Sequence, residues 1–145
     1  METYQQKEKD LREEVKYLRD IIENIQETVV IADKDMVIEY MSPSCMFITG
    51  HSMETQKGKT ILDLVHPHDL DYVAEAAQNA ILTRTGRKAE YRYRHADGHY
   101  VWFETSGNLL YDADGGIRGA IFVGRDITER KKIEEALRES EDTYR

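Results

Sequence analysis

Five histidines, one cysteine and a glycine-rich run are the residues whose types could carry chemistry in this chain. His66-Pro67-His68-Asp69 is the densest group, and its spacing raises the question of a metal. Pro67 at a helix start explains the stretch structurally, and no third ligand of suitable geometry is evident. His51, His95 and His99 fall at loop or strand-end positions and read as surface residues. Cys45 stands alone, which excludes an internal disulfide and a cysteine-built zinc site. Between Ser44 and Met46 it reads as a small buried side chain. Gly115-Gly116-x-x-Gly119 runs from a turn into a strand, whereas a phosphate loop opens a helix. No Ser/His/Asp or Cys/His arrangement is indicated, so no catalytic residue and no metal site are expected. Asp112, Asp114 and Asp126 read as turn and cap residues.

The elements that must position these residues fit a single domain. The chain has 145 residues, 40% apolar and 33% charged, with a mean hydropathy of -0.67. Twenty basic against 28 acidic residues give a net charge of -8, which argues against a nucleic-acid partner. No apolar run approaches membrane-spanning length, and the N-terminus is not a signal peptide. A cytoplasmic segment is expected, with a membrane anchor elsewhere in a longer parent left open.

Three segments are expected: a helix over 1–27, a mixed core over 28–125 and a second helix over 126–145. Leu11, Val15, Leu18, Ile22 and Ile25 are spaced 4, 3, 4, 3, an a/d seam of period 3.5. Packing on the chain's own domain is the alternative, but the narrow stripe favours a partner helix, hence a homodimer. Arg130, Ile133, Leu137, Ser140 and Tyr144 continue the pattern in the last segment, spaced 3, 4, 3, 4. Asp126 can cap that helix, with Glu129 placed as in a capping box. Glu134 with Arg138 and Glu141 with Arg145 form i,i+4 pairs.

In the middle, Thr28 to Ala32 and Met36 to Met41 read as a hairpin around Asp33-Lys34-Asp35. Ser44 to Thr49 reads as a short helix ended by Gly50, followed by loop and short turns to Val65. A longer helix opens at His66-Pro67-His68-Asp69, with Asp69 and Asp71 at its positive end. Leu70, Val73, Ala77 and Ile81 form its inward face, and Gly86 stops it. Three strands follow, Lys88 to His95, His99 to Tyr111 and Ile117 to Arg125, joined at Asp97-Gly98 and Asp112 to Gly116. This order is an α+β layout with helices on one face of a sheet.

The stretch from Tyr91 to Lys131, with its Asp97-Gly98 and Asp114-Gly115 turns, Trp102 strand and Asp126-Ile127-Thr128-Glu129-Arg130-Lys131, resembles the C-terminal half of a PAS domain. Ile21 to Asp33, Ser42 to Gly50 and Val65 to Asp69 match the first half in order. The resemblance implies a PAS fold: a five-stranded antiparallel sheet with helices on one face, enclosing a pocket, flanked here by two amphipathic helices. It also implies a sensory or dimerisation module of a larger signalling protein, not an enzyme. Ala136 to Arg145 resembles the lead-in to a further PAS domain, so a fragment of a tandem-PAS protein such as a sensor histidine kinase is expected, with the output domain elsewhere in the same chain.

Matching the PAS sheet puts Tyr91, Tyr93, Phe103, Thr105 and Gly124 inward, joined by Val30 and Ala32. Trp102, Ile121 and Val123 then face outward and need cover, for which the N-terminal helix is the candidate, so Trp102 joins the seam. Tyr91, Tyr93 and Thr105 would bind a small polar or carboxylate molecule. The alternative is a filled core and a structural spacer that binds nothing. Flavin-binding light sensors of this family carry a cysteine before the long helix, and Gly58 to Val65 has none. Haem-binding members use a histidine on that helix, where only His68 stands, at its start. No cofactor is specifically indicated. Asp126 and Thr128, anchoring the exit helix, are the expected relay to an output domain.

Overall fold

The computed structural model describes residues 3–143. Tyr144 of the second seam and Arg145 of the last ion pair lie outside the described residues. Helix α1 spans Tyr4–Asn24, opened by Thr3, whose hydroxyl accepts from the Gln6 amide at 3.1 Å. Strands β1 (Thr28–Asp33) and β2 (Ile38–Met41) follow, then the short helices α2 (Ser44–Thr49) and α3 (Met53–Gln56). A 3₁₀ turn at Ile61–Leu64 leads to α4 (Leu70–Thr83). Strands β3 (Arg87–Arg94), β4 (Tyr100–Tyr111) and β5 (Ile117–Asp126) complete the sheet, and α5 (Thr128–Thr143) leaves it.

The sheet is antiparallel with the order β2-β1-β5-β4-β3. The last strand therefore lies at the centre, between the first strand and the β3–β4 hairpin. On β4, Val101, Phe103 and Thr105 are buried, while Trp102, Glu104 and Ser106 turn to the other face. Helices cover the inner face: α2 packs on β1, and α4 on β3 and β4.

Several boundaries differ from the sequence reading for local reasons. Strand β2 begins at Ile38, not Met36. Met36 has a φ of +67°, and Val37 bridges Thr60 while its carbonyl accepts from the Asp33 amide at 2.9 Å. The Asp33 carboxylate holds this turn by accepting from the amides of Asp35 (2.8 Å) and Val37 (3.1 Å). Residues 53–56 form a helix where a loop was expected, opened by Ser52, which accepts from the Thr55 amide. Helix α4 ends on Arg84, itself left-handed at φ +53°, before Gly86 is reached. Gly86 is needed for space: a Cβ there would lie 2.8 Å from the Gly107 carbonyl and collide with the Asn108 side chain. Gly50 does end α2, at φ +74°. Asp126 belongs to β5, where it faces Phe103, so the exit helix starts at Thr128.

The stripes of the two flanking helices lie differently. Helix α1 buries no residue, and Leu11, Val15 and Leu18 are each more than half exposed. Ile22 and Ile25 are half-buried. Trp102 does not join them. It lies between the Arg92 guanidinium (5.3 Å) and the Lys131 ammonium (5.0 Å). In α5, Arg130 turns to its own sheet, while Ile133 and Leu137 stay exposed.

A lidded cavity and its exit junction

Strand alternation builds one wall of a cavity of about 130 Å³ between the sheet and its helices. Val30, Tyr91, Tyr93, Phe103, Thr105 and Gly124 line it, as the alternation requires. Ala32 is the exception. It is wholly buried opposite Ala120 but does not reach the cavity. Helix α4 supplies the facing wall through Val73, Ala76, Ala77, Ala80 and Ile81, whereas Leu70 stands outside it. Three alanines on one stripe of α4 leave the space that larger side chains would fill. They were the available sequence signal, of which only Ala77 had been read as inward. Cys45 also lines the cavity, with its thiol 3.7 Å from the Ser42 hydroxyl. Burial pushes that thiol's pKa up, so it remains neutral and unreactive.

The cavity's polar groups are largely spent on each other. Tyr91 and Thr105 share a hydrogen bond of 2.8 Å. Tyr93 meets Phe103 edge-on, with ring centroids 5.6 Å apart. Burial raises the pKa of both tyrosines, so both are neutral phenols. No Lys, Arg or His is among the described lining residues. A carboxylate ligand would thus be buried without a counter-charge. The cavity is also small beside the large cofactors. A cavity of roughly 150 Å³ lined by apolar side chains accommodates benzene, far smaller than a flavin or haem. No histidine is in the described lining, so the histidine ligation used by haem-binding members has no donor there.

One residue away from this wall the exit helix is anchored. Trp102, next to cavity-lining Phe103, accepts from the Ile127 amide at 2.8 Å. Its own amide donates to the Thr128 hydroxyl at 2.9 Å. Asp126 accepts from the Thr128 amide at 2.8 Å. Ile127 is buried. Glu129 is exposed, and among the described residues no reciprocal capping-box bond from it forms.

Four charged residues extend the anchor, and two of them, Glu90 and Glu104, carry no signal in the sequence. Glu90 and Glu104 are directly opposite on β3 and β4, an unfavourable pairing of like charges. Arg130 bridges both, and Lys131 reaches Glu90 at 3.1 Å. Lys131 holds the Glu90 carboxyl below its ordinary pKa. Sequence spacing places Arg130 on the helix seam with Ile133 and Leu137, but only sheet register shows which strand carboxylates it meets.

The opening of α4 is tied to the same sheet. Asp69 accepts from the Arg92 amide at 2.8 Å and, at 2.9 Å each, from its Nε and Nη2. It stands at the N-terminus of its own helix but makes no capping hydrogen bond there. His66 lies against Tyr100, and its Nδ1 accepts from the His68 amide at 3.0 Å, a structural use of both histidines. His95 and His99 are not scattered: their rings stack 4.6 Å apart.

The family model described as PAS fold matches residues 38–123. The two-component sensor PprA of Pseudomonas aeruginosa is 32% identical over 111 residues, covering 76% of this chain and 12% of that protein. Sporulation kinase E of Bacillus subtilis is 26% identical over 134 residues, 92% of this chain and 17% of the kinase. The chain thus spans a small part of the curated relatives it matches. Among solved structures, the PAS domain of a Colwellia psychrerythraea protein superposes with a TM-score of 0.75 at 23% identity, covering 79% of this chain and 98% of that one. A sensory box histidine kinase/response regulator from Burkholderia thailandensis gives 0.70 at 23% identity, covering 88% and 96%. No described helix is long and apolar enough to cross a membrane. A central last strand, a helix-lidded inner face and an exit through Asp126-Ile127-Thr128 thus accompany a family match over most of the sheet: the chain belongs to the PAS family of sensory, non-catalytic modules found in signalling proteins.

Proposed function

We propose that this PAS domain senses a small, neutral, apolar molecule and relays its binding through α5 to an output domain in the same polypeptide. The observation that carries this reading is the adjacency of cavity and exit. Phe103 lines the cavity, and its neighbour Trp102 holds both Ile127 and Thr128. A molecule that displaces Phe103 moves the backbone that anchors the exit helix. Differential affinity for two positions of that strand then biases α5. The unpartnered seam of α1, from Leu11 to Ile25, would pair with a second copy, giving a homodimer in which the two exit helices move together. The two-component sensor and kinase relatives support a two-component setting for such a module, which on this reading works in the cytoplasm.

The Tyr91–Thr105 bond and the modest cavity volume favour a second reading, a dimerising spacer with no ligand. Native mass spectrometry of the purified chain separates the two. A small added mass, lost in Ala77→Leu, supports sensing. A bare mass, together with no displacement of cavity resonances by an apolar aromatic probe such as indole, supports the spacer.

A further inference from the structure

The β3–β4 turn gathers three metal-ligating side chains that neither the cavity nor the exit junction uses. His95, Asp97 and His99 are alternate residues, and the His95 amide donates to the His99 carbonyl at 2.8 Å to close the turn. The two imidazoles stack with an interplanar angle of 17°. Both direct Nδ1 at Oδ1 of Asp97, His95 from 3.3 Å and His99 in hydrogen-bond contact. One donor atom from each residue lies within 4.8 Å of the other two. In a tetrahedral zinc site with bonds of about 2.0–2.1 Å, neighbouring ligand atoms stand roughly 3.4 Å apart. The His95–Asp97 separation is already at that value.

The group is held from outside the turn. The Ala96 amide donates to the Thr49 carbonyl at 2.9 Å, binding the turn to the end of α2. The His95 ring edge lies against Gly50, where a Cβ would come within 2.9 Å of Cε1. Gly98, at φ +104°, provides the left-handed residue that lets the turn fold so tightly. Asp97 and His99 are both more than half exposed, which leaves room for water in the remaining coordination positions.

We propose that His95, Asp97 and His99 form a binding site for a divalent transition metal ion. Two imidazoles and one carboxylate suit Zn²⁺, Ni²⁺ or Cu²⁺ and disfavour Mg²⁺ and Ca²⁺, which prefer all-oxygen sets. The ion replaces the 3.1 Å bond from the Asp97 amide to His95 Nδ1 and cross-links the strand ends where the hairpin meets α2. This makes the turn a second input point, joined through Ala96 to Thr49 at the cavity's edge.

The test is calorimetric titration of the tag-free 145-residue chain with ZnCl₂, and in parallel with MgCl₂. The expected result is one zinc ion per chain, no magnesium binding, and amide shifts centred on residues 95–99. His99→Ala should weaken zinc affinity by at least about tenfold, and Asp97→Asn likewise. His68→Ala, at the other histidine pair, should leave it unchanged. Melting curves of each variant without metal establish that the loss is not unfolding. Absence of saturable zinc binding overturns the proposal, as does zinc affinity unaltered in a folded Asp97→Asn/His99→Ala double variant.

Discussion

At the residue scale, the strongest polar device is the Asp69–Arg92 pair. Its carboxylate is mostly buried and receives three bonds, and the Arg92 hydrogen bonds depress its pKa. Asp69→Asn keeps the shape but loses the charge, and should cost about 1.5–3 kcal/mol in urea unfolding at neutral pH. The sign of the pH dependence follows from the lowered folded pKa. The contribution is complete above the unfolded value near 4 and is lost as pH falls through the folded one. Wild type and Asp69→Asn should therefore converge in stability on acidification below about pH 4.

The Tyr91–Thr105 bond allows a cleaner test inside the cavity. Tyr91→Phe orphans a buried threonine hydroxyl and should cost about 1–3 kcal/mol. Adding Thr105→Val removes the orphan without changing its volume. The double variant should recover most of that loss, measured by the same unfolding curves.

At the element scale, α5 is joined to the sheet at three kinds of contact. Asp126 and Thr128 provide hydrogen bonds, Ile127 burial, and Arg130 with Lys131 the charges over Glu90, Glu104 and Trp102. Asp126→Ala removes only a cap bond, worth about 1 kcal/mol. Its effect should be confined to faster amide exchange in the first turn of α5. Arg130→Ala leaves Glu90 facing Glu104 and should loosen the same turn while leaving exchange in β1 and β5 unchanged. If either substitution instead destabilised the whole sheet equally, α5 would not be a separable relay element.

At the scale of the whole molecule, the described chain has its apolar faces in two states. The inner sheet face is covered by α2 and α4, whereas the α1 stripe and Ile133 with Leu137 on α5 lie open. An isolated helix of this length gains little stability from propensity alone. Pairing of α1 with a second copy supplies the missing burial. Sedimentation equilibrium should show a dimer that Leu11→Glu/Leu18→Glu converts to a monomer, with the near-ultraviolet signal of Trp102 preserved. A monomeric wild type would remove the seam from the signalling account.

Element order, the antiparallel layout and most inward strand positions were determined by sequence alone, because alternation and turn chemistry are local. The PAS motifs, read on Tyr91 to Lys131, added the direction of the inward face. Local rules failed where space or a distant partner decided. Gly86 yields to the approach of Gly107 and Asn108, Asp69 turns to Arg92 instead of its own helix, and Trp102 meets Lys131 instead of α1. Whether Tyr91 and Tyr93 fill their pocket depends on the alanines of α4 across from them. The stacking of His95 on His99 depends on how the hairpin closes and seats against Gly50. Sequence determines which face a side chain takes, because that follows from the backbone period. Only tertiary structure decides what it meets there, because register and packing bring together residues whose separation along the chain carries no trace of the contact.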